Sequence, residues 1–529
     1  MNSEEKIYEQ GQMPPQGVMP PIMGAQKPTG WRERFMRNYG QGMGPNPAAL
    51  RDELTIPRWL VSRSVLFFFI AFAACILLYK HSMPLNLAAI SSASLLFFFY
   101  GIQSASRSWV RLKEWQFIKK AFVLALVIRL IWVCISYFYL NVELFGKPDG
   151  FGDDNGWYMG FAQGIAKWIK GEDHTPFSKI MDSYASAVDD TGYPFILALE
   201  YLLSMESSTI FLPLFIKAIL DAYTCVAIYH IARRHFGIGT ARTAMLFMVF
   251  NPIMFFWASC LLKECEMVFV CVVSINMIDS TLSAGKKISF RGLLPGLAMA
   301  SLLFFFRTAL ALVIFLAVFA HIIFVSHKVM TNGKKVLAGV LVGIVMLVGL
   351  GDRITSQSKQ LLGRVEGGQQ NASMEWRAER EGGNSLAKYA SATVFAPLIF
   401  TIPFPTFNMA HEGQIMQMEL SGGYFIKNVL SFFVIFVLVL LLVSGEWRKH
   451  VFIEAYTVGY LLVLVMSEFA QSGRFHMPVF PLLMLFAAYG LQVEKGNKHI
   501  RKWYLGWCVL MLVAAIGWNW FKLKGRGMI

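Results

Sequence analysis

"AFVLALVIRLIWVCISYFYL" (121–140) runs directly into "NVELFGKPDGFGDDNGWYMGFAQGIAKWIKGE" (141–172). The first segment is apolar and long enough to cross a bilayer. The second sets two adjacent carboxylates, Asp153 and Asp154, where that run leaves the lipid. Charges at such an edge need either water or a function.

The rest of the chain fixes the setting. Its 529 residues are 56% hydrophobic and 15% charged, with mean hydropathy +0.50. Apolar runs of roughly 17–22 residues, the length of a spanning helix, recur from Trp59 to Phe521. This composition predicts an all-α polytopic membrane protein. The net charge of +15 sits in short loops, at Arg107–Lys120, Arg233/Arg234, Lys286–Arg291, Lys328–Lys335, Arg448/Lys449 and Lys495–Lys502. That excess marks cytoplasmic loops and not a nucleic-acid partner. The seven cysteines lie in or beside apolar runs without a CxxC pair, so they read as small buried hydrophobes.

With basic loops inside, the walk gives about 13 transmembrane helices. Residues 1–58 form a cytoplasmic tail rich in Pro, Gly and Met, in which "WRERFMRNY" (31–39) reads either as an interfacial helix or as solvated tail. A hairpin and a basic loop fill 59–120. A membrane module, 121–350, carries the first outer loop, 141–190. There Trp157, Phe161, Ile165 and Trp168 recur at helical spacing and predict an interfacial helix. "TGYPFILALEYLLSM" (191–205) is too short to span, so the return run is 209–232, followed by runs at 240–259 and 265–283. A second long outer loop, 351–423, precedes C-terminal helices in 424–529. The basic tail "KLKGRGMI" then falls outside, so either the last run stops short or the charge bias fails there. No internal repeat is visible, which weighs against many transporters.

Ionisable residues gather where spans end on the outer side: Asp153 and Asp154; Lys263, Glu264 and Glu266; Arg307; and Glu468, Arg474 and His476. Each has a plain alternative, such as an Arg snorkelling to headgroups or a solvated Lys-Glu turn. Together they fit one reaction class. A sugar on a polyprenyl phosphate keeps its phosphate at headgroup depth. Its transfer needs cations for the departing phosphate and a carboxylate for the proton of the attacking hydroxyl. The sequence has neither a Gly-rich phosphate loop ending in Lys-Ser/Thr nor an HExxH zinc pattern.

Five stretches, in order, carry a resemblance: "FVLALVIRLIWVC…PDGFGDDNGWYMGFAQGIAKWIKG", "TGYPFILALEYLL", "ARRHFG…ARTAMLFMVFNPIMFFWASCLLKECEMVFVCVV", "GLLPGLAMASLLFFFRTALALVIF" and "SGRFHMPVFPLLMLFAAYGL". They resemble the GT-C superfamily of membrane glycosyltransferases, in particular the dolichyl-phosphate-mannose protein mannosyltransferase and aminoarabinose transferase branch. The likeness covers about 120–330 and 465–492. It implies a GT-C-like helix arrangement and a polyprenyl-phosphate-sugar donor used on the non-cytoplasmic face. The acceptor would be a glycan, lipid or protein. Asp153 would be the general base with Asp154 its helper, though an adjacent pair leaves the order open. Lys263, Arg307, Arg474 and His476 would face the donor phosphate and Glu264 would orient one of them. Tyr158, Tyr193 and Glu468 would line the substrate. Some branches bind a divalent metal, Mg or Mn, which would fall to Asp153 and Asp154. The chain departs from the family in two added N-terminal spans, in lacking a large soluble tail domain, and in the loop 351–423.

The implied setting is a bacterial cytoplasmic membrane, with the site facing outward to serve the cell envelope and its polysaccharides. Two other readings stand beside it. A polymerase or ligase of lipid-linked polysaccharide would lean on Arg474 and the 351–423 loop. A transporter or flippase would need mid-span charges, of which Arg129, Asp221 and Glu454 are the chief examples.

Overall fold

The computed structural model describes residues 31–39, 55–79, 81–144, 153–177, 179–180, 191–205, 210–283, 290–325, 378–379, 384–386, 394, 396–410, 415–467, 470–494 and 497–529. Among these residues the regular structure is entirely helical. The elements that position the site are α1 (Trp31–Tyr39), α2 (Arg58–Tyr79), α3 (Leu85–Ser108), α4 (Glu114–Cys134), α5 (Asp153–Ile169), α6 (Gly192–Leu203), α7 (Phe211–Phe250), α8 (Pro252–Ala258), α9 (Glu264–Leu282) and α10 (Phe290–Ser301). After them come α11 (Thr308–Val325), α12 (Ile415–Glu419), α13 (Ser421–Ser444), α14 (Trp447–Met466), α15 (Gly473–His476), α16 (Phe480–Glu494) and α17 (Lys498–Lys524). Nine helices among the described residues are long and apolar enough to cross a membrane. The chain is therefore an integral, multi-pass membrane protein. The sequence count of about 13 includes a run at 336–350 that lies outside the described residues.

The longest helix, α7, is two arms and not one rod. At Gly237 the backbone takes φ 85° and ψ 179°, a left-handed φ that favours glycine. A continuous helix would separate Asp221 from Val249 by about 42 Å. Instead a single guanidinium reaches both. Arg129 of α4 donates from Nε to Asp221 Oδ2 (2.6 Å) and from Nη1 to Val249 O (3.0 Å) and Ala125 O (3.2 Å). Its Nη2 donates to Met248 O (3.1 Å). The second arm thus folds back beside the first, as the sequence runs 209–232 and 240–259 predict, and Arg129 satisfies carbonyls of its last turn.

The bundle has two distinct ends. At the basic end Arg63 donates to Arg501 O, Arg233 pairs with Glu114, Arg234 with Asp279, and Arg501 with Glu494. Arg32 of α1 docks there too, donating to Val443 O (2.7 Å) at the close of α13. Of the two readings of "WRERFMRNY", the helix is the one found. At the distal end Met83 N donates to Phe407 O (3.1 Å) and Lys263 Nζ to Phe306 O (3.0 Å).

Two expectations are adjusted. The C-terminal run does not stop short. Helix α17 reaches the distal end, where Lys522 donates to Thr406 Oγ1 (2.7 Å) and to Gln417 and lies over the Trp518 ring. The charge bias is what gives way, because Lys522 finds acceptors there. The interfacial stripe also turns: α5 buries Tyr158, Phe161, Ala162 and Ile165, while Trp157 stays exposed. Cys134 is the one exposed cysteine among seven.

Asp221→Ala strands a fully buried guanidinium and should cost about 3–5 kcal/mol. The paired change Arg129→Met with Asp221→Leu should recover much of that loss. Thermal unfolding of the purified protein in detergent measures both, and equal damage in the two variants would contradict the pairing.

Candidate functional site

Three cations meet at the distal end, each from a different turn. Lys263 closes the turn after α8 and Arg307 precedes α11. Arg474 lies in the single-turn helix α15. Arg474 Nε pairs with Glu264, whose side chain is wholly buried while that of Arg474 is 21% exposed. Arg307 donates from Nη1 to Tyr460 Oη (3.2 Å), which donates in turn to Phe475 O (3.0 Å). The same guanidinium lies 4.1 Å over the Phe475 ring, beside Arg474. Lys263 is 6% exposed and reaches Phe306 O, next to Arg307. The Lys263–Glu264 turn is thus buried and not solvated. Glu264 Oε2 has no hydrogen-bond partner among the described residues.

Beneath them lies a second pair that the sequence reading left out of the site. Lys217 Nζ sits 2.7 Å from Glu266 Oε2, donates to Leu262 O (2.6 Å) and stands 4.5 Å over the Tyr193 ring. A lysine inside the apolar run "FLPLFIKAIL" (211–220) was the available signal, since such a residue needs a partner. Glu200 of α6 is also buried, and burial first and Glu266 second raise its carboxyl to about 7.

The acidic helix joins this end through aromatic rings. Tyr158 of α5 packs edge-on against Tyr193, with centroids 5.1 Å apart. A side chain at Gly192 would strike Phe305 and Phe306, so α6 is pressed against the turn that presents Arg307. Helix α5 begins at Asp153, about 7.5 Å along its axis from Tyr158. The side chains of Asp153 and Asp154, and all of Glu468, lie outside the described residues, as do Glu366, Glu375 and His411.

His476 has a different occupation from the phosphate contact expected of it. Its Nε2 donates to Ala470 O (2.7 Å), so Nδ1 is the acceptor, and Lys427 Nζ lies 3.0 Å from it. Burial, then Lys427, hold the ring well below the usual imidazole range. Both nitrogens are engaged within the protein. Among the described residues no three His, Cys, Asp or Glu side chains stand close enough to hold a metal ion. The side chains of Asp153 and Asp154, to which the resemblance would give a divalent ion, lie outside the described residues.

No protein-family model and no curated protein matches the sequence. A solved structure with partial likeness is the archaeal oligosaccharyltransferase AglB from Archaeoglobus fulgidus, in complex with an inhibitory peptide and a dolichol-phosphate. The TM-score is 0.41 at 13% identity, over 77% of this chain and 56% of that one. A likeness at that level does not establish a shared activity, and the site is read from its own residues.

The pairing of Glu264 with Arg474 predicts non-additivity. Glu264→Gln and Arg474→Ala, singly and together, should show a coupling of about 0.5–3 kcal/mol in thermal unfolding. Simple additivity would mean that the two do not act as a pair.

Proposed function

We propose that this protein is a membrane glycosyltransferase that moves a sugar from a polyprenyl-phosphate-linked donor to an acceptor hydroxyl at the distal end of the bundle. The observation that carries this reading is the convergence of Lys263, Arg307 and Arg474 from three separate turns, a place suited to an anion at headgroup depth. The same residues carry the sequence resemblance to GT-C enzymes. By the charge bias of the loops, the distal end is the non-cytoplasmic face. The setting is a bacterial cytoplasmic membrane.

In this reading the bond between the sugar carbon and the phosphate oxygen breaks, and its electron pair stays with the phosphate. Lys263, Arg307 and Arg474 stabilise the growing charge, with Arg474 held by Glu264. The acceptor oxygen forms the new bond and loses its proton to the carboxylate pair at the start of α5, with Asp153 as base. Tyr158 and Tyr193 tie that helix to the phosphate side. Lys217 and Glu266 brace the turn from beneath.

Of the mid-span charges a transporter would need, Arg129 and Asp221 are locked to each other, with Arg129 also on backbone carbonyls, while Glu454 Oε1 has no hydrogen-bond partner among the described residues. A polysaccharide ligase shares the phosphate chemistry and differs in its dependence on the acidic helix.

Asp153→Ala should abolish transfer while retaining donor binding. Arg307→Ala should lower the transfer rate by about 10²–10³. Cells lacking the protein should accumulate its lipid-phosphate-sugar, read by mass spectrometry of extracted lipids. Full transfer by Asp153→Ala would favour the ligase, and an unchanged lipid-linked pool would remove the enzyme reading altogether.

A further inference from the structure

Glu419 is the last residue of α12, immediately before α13. Its side chain is 3% exposed, and neither carboxyl oxygen has a hydrogen-bond partner. An acid placed this way is costly unless something completes it.

Its surroundings close a ring around the site. Cys260, in the turn leading to Lys263, lies within electrostatic reach of Glu419 and also of Lys217 and Glu264. Five residues beyond Glu419, the Tyr424 hydroxyl lies so close to Gly473 that no side chain would fit there. Gly473 adjoins Arg474, which pairs with Glu264. Glu419 therefore stands near the turn that leads from Cys260 to Lys263 and Glu264.

The ionisable groups facing it are few. Cys260 comes from the turn, and Tyr424 and Lys427 come from α13. Helix α3, which meets α13 at Gly422, offers only the hydroxyls of Ser91 and Ser94 there. Lys427 directs its ammonium to Ile402 O and His476. Burial raises the Glu419 carboxyl to about 8, with no cation to oppose it. At neutral pH the group is chiefly a carboxylic acid, with one O–H to give and one oxygen to accept.

We propose that Glu419 is a further donor-binding residue: as an uncharged acid it gives its O–H to a phosphate oxygen of the lipid-linked donor, together with Lys263, Arg307 and Arg474. This rests on the reading of the site as one for a prenyl-phosphate donor. Ionised, the same carboxyl would repel the phosphate. Binding is therefore favoured below the raised pKa and is lost as pH climbs through about 8.

The test is farnesyl phosphate binding to the purified full chain in detergent, by titration calorimetry between about pH 7 and pH 9. A phosphate monoester has its second ionisation near pH 6 and is mostly dianionic across that window. The dissociation constant of the unmodified protein should rise about tenfold, following the shrinking neutral fraction. Glu419→Gln cannot ionise and should lack that rise, whatever its affinity at the lower pH. If Arg307→Ala with Arg474→Ala binds the probe like the unmodified protein, the donor site itself is refuted. If that variant loses binding while Glu419→Gln keeps the unmodified protein's pH slope, only the role of Glu419 falls.

Discussion

One guanidinium inside an apolar bundle organises the rest. Arg129 is fully buried, and its partners come from α4 and from both arms of α7. In hydrocarbon such a charge is tolerable only with its hydrogen bonds met, so the arms of α7 have little freedom to part. The second arm then leads through Asn251, whose side chain accepts from Ile253 N, into α8. Helix α8 ends at the turn that presents Lys263 and Glu264. The position of the distal site thus follows from a pairing made well away from it along the chain.

The two ends of the bundle treat charge differently. At the basic end each buried acid has a partner. Asp279 holds Arg234 at 2.6 Å and His235 at 2.8 Å, and Glu494 holds Arg501 at 2.8 Å. His235 goes on to His450 through its other nitrogen, at 2.8 Å. This is the pattern of a scaffold that locks helix ends together. At the distal end Arg474 holds Glu264, Lys263 and Arg307 lie close by, and Glu419 has no hydrogen-bond partner among the described residues.

Much of the fold was legible in the sequence because apolar length and loop charge report directly on spans and ends. The break near Gly237 followed from "ARRHFG", and the short helix at 191–205 from its length. The turns holding Lys263, Arg307 and Arg474 were legible as span ends with charges. Their mutual contacts were not, because packing between distant spans leaves no periodic trace. The engagement of His476 was hidden for that reason: its Nε2 donates to Ala470 O, which leaves Nδ1 as the acceptor facing Lys427, 49 residues away. The stripe of α5 is divided between two surroundings: Phe161 and Ile165 are buried along with Tyr158 and Ala162, while Trp157 stays exposed.

The same logic explains why Lys217 and Glu419 escaped notice and why Glu266, gathered with the outer charges, was given no role. A single charge within or beside an apolar run reads as an exception in one dimension. In three dimensions Lys217 and Glu266 become a pair 2.7 Å apart, braced by Leu262 O and the Tyr193 ring. Such a pair, sealed from water, fixes the base of the turn above it. The cations on that turn can then be held in place before any phosphate arrives, so that little reorganisation is needed as charge develops. Glu419 meets no such partner among the described residues, and its contrast with Glu266 separates an acid that serves the scaffold from one whose hydrogen bonds are unmet.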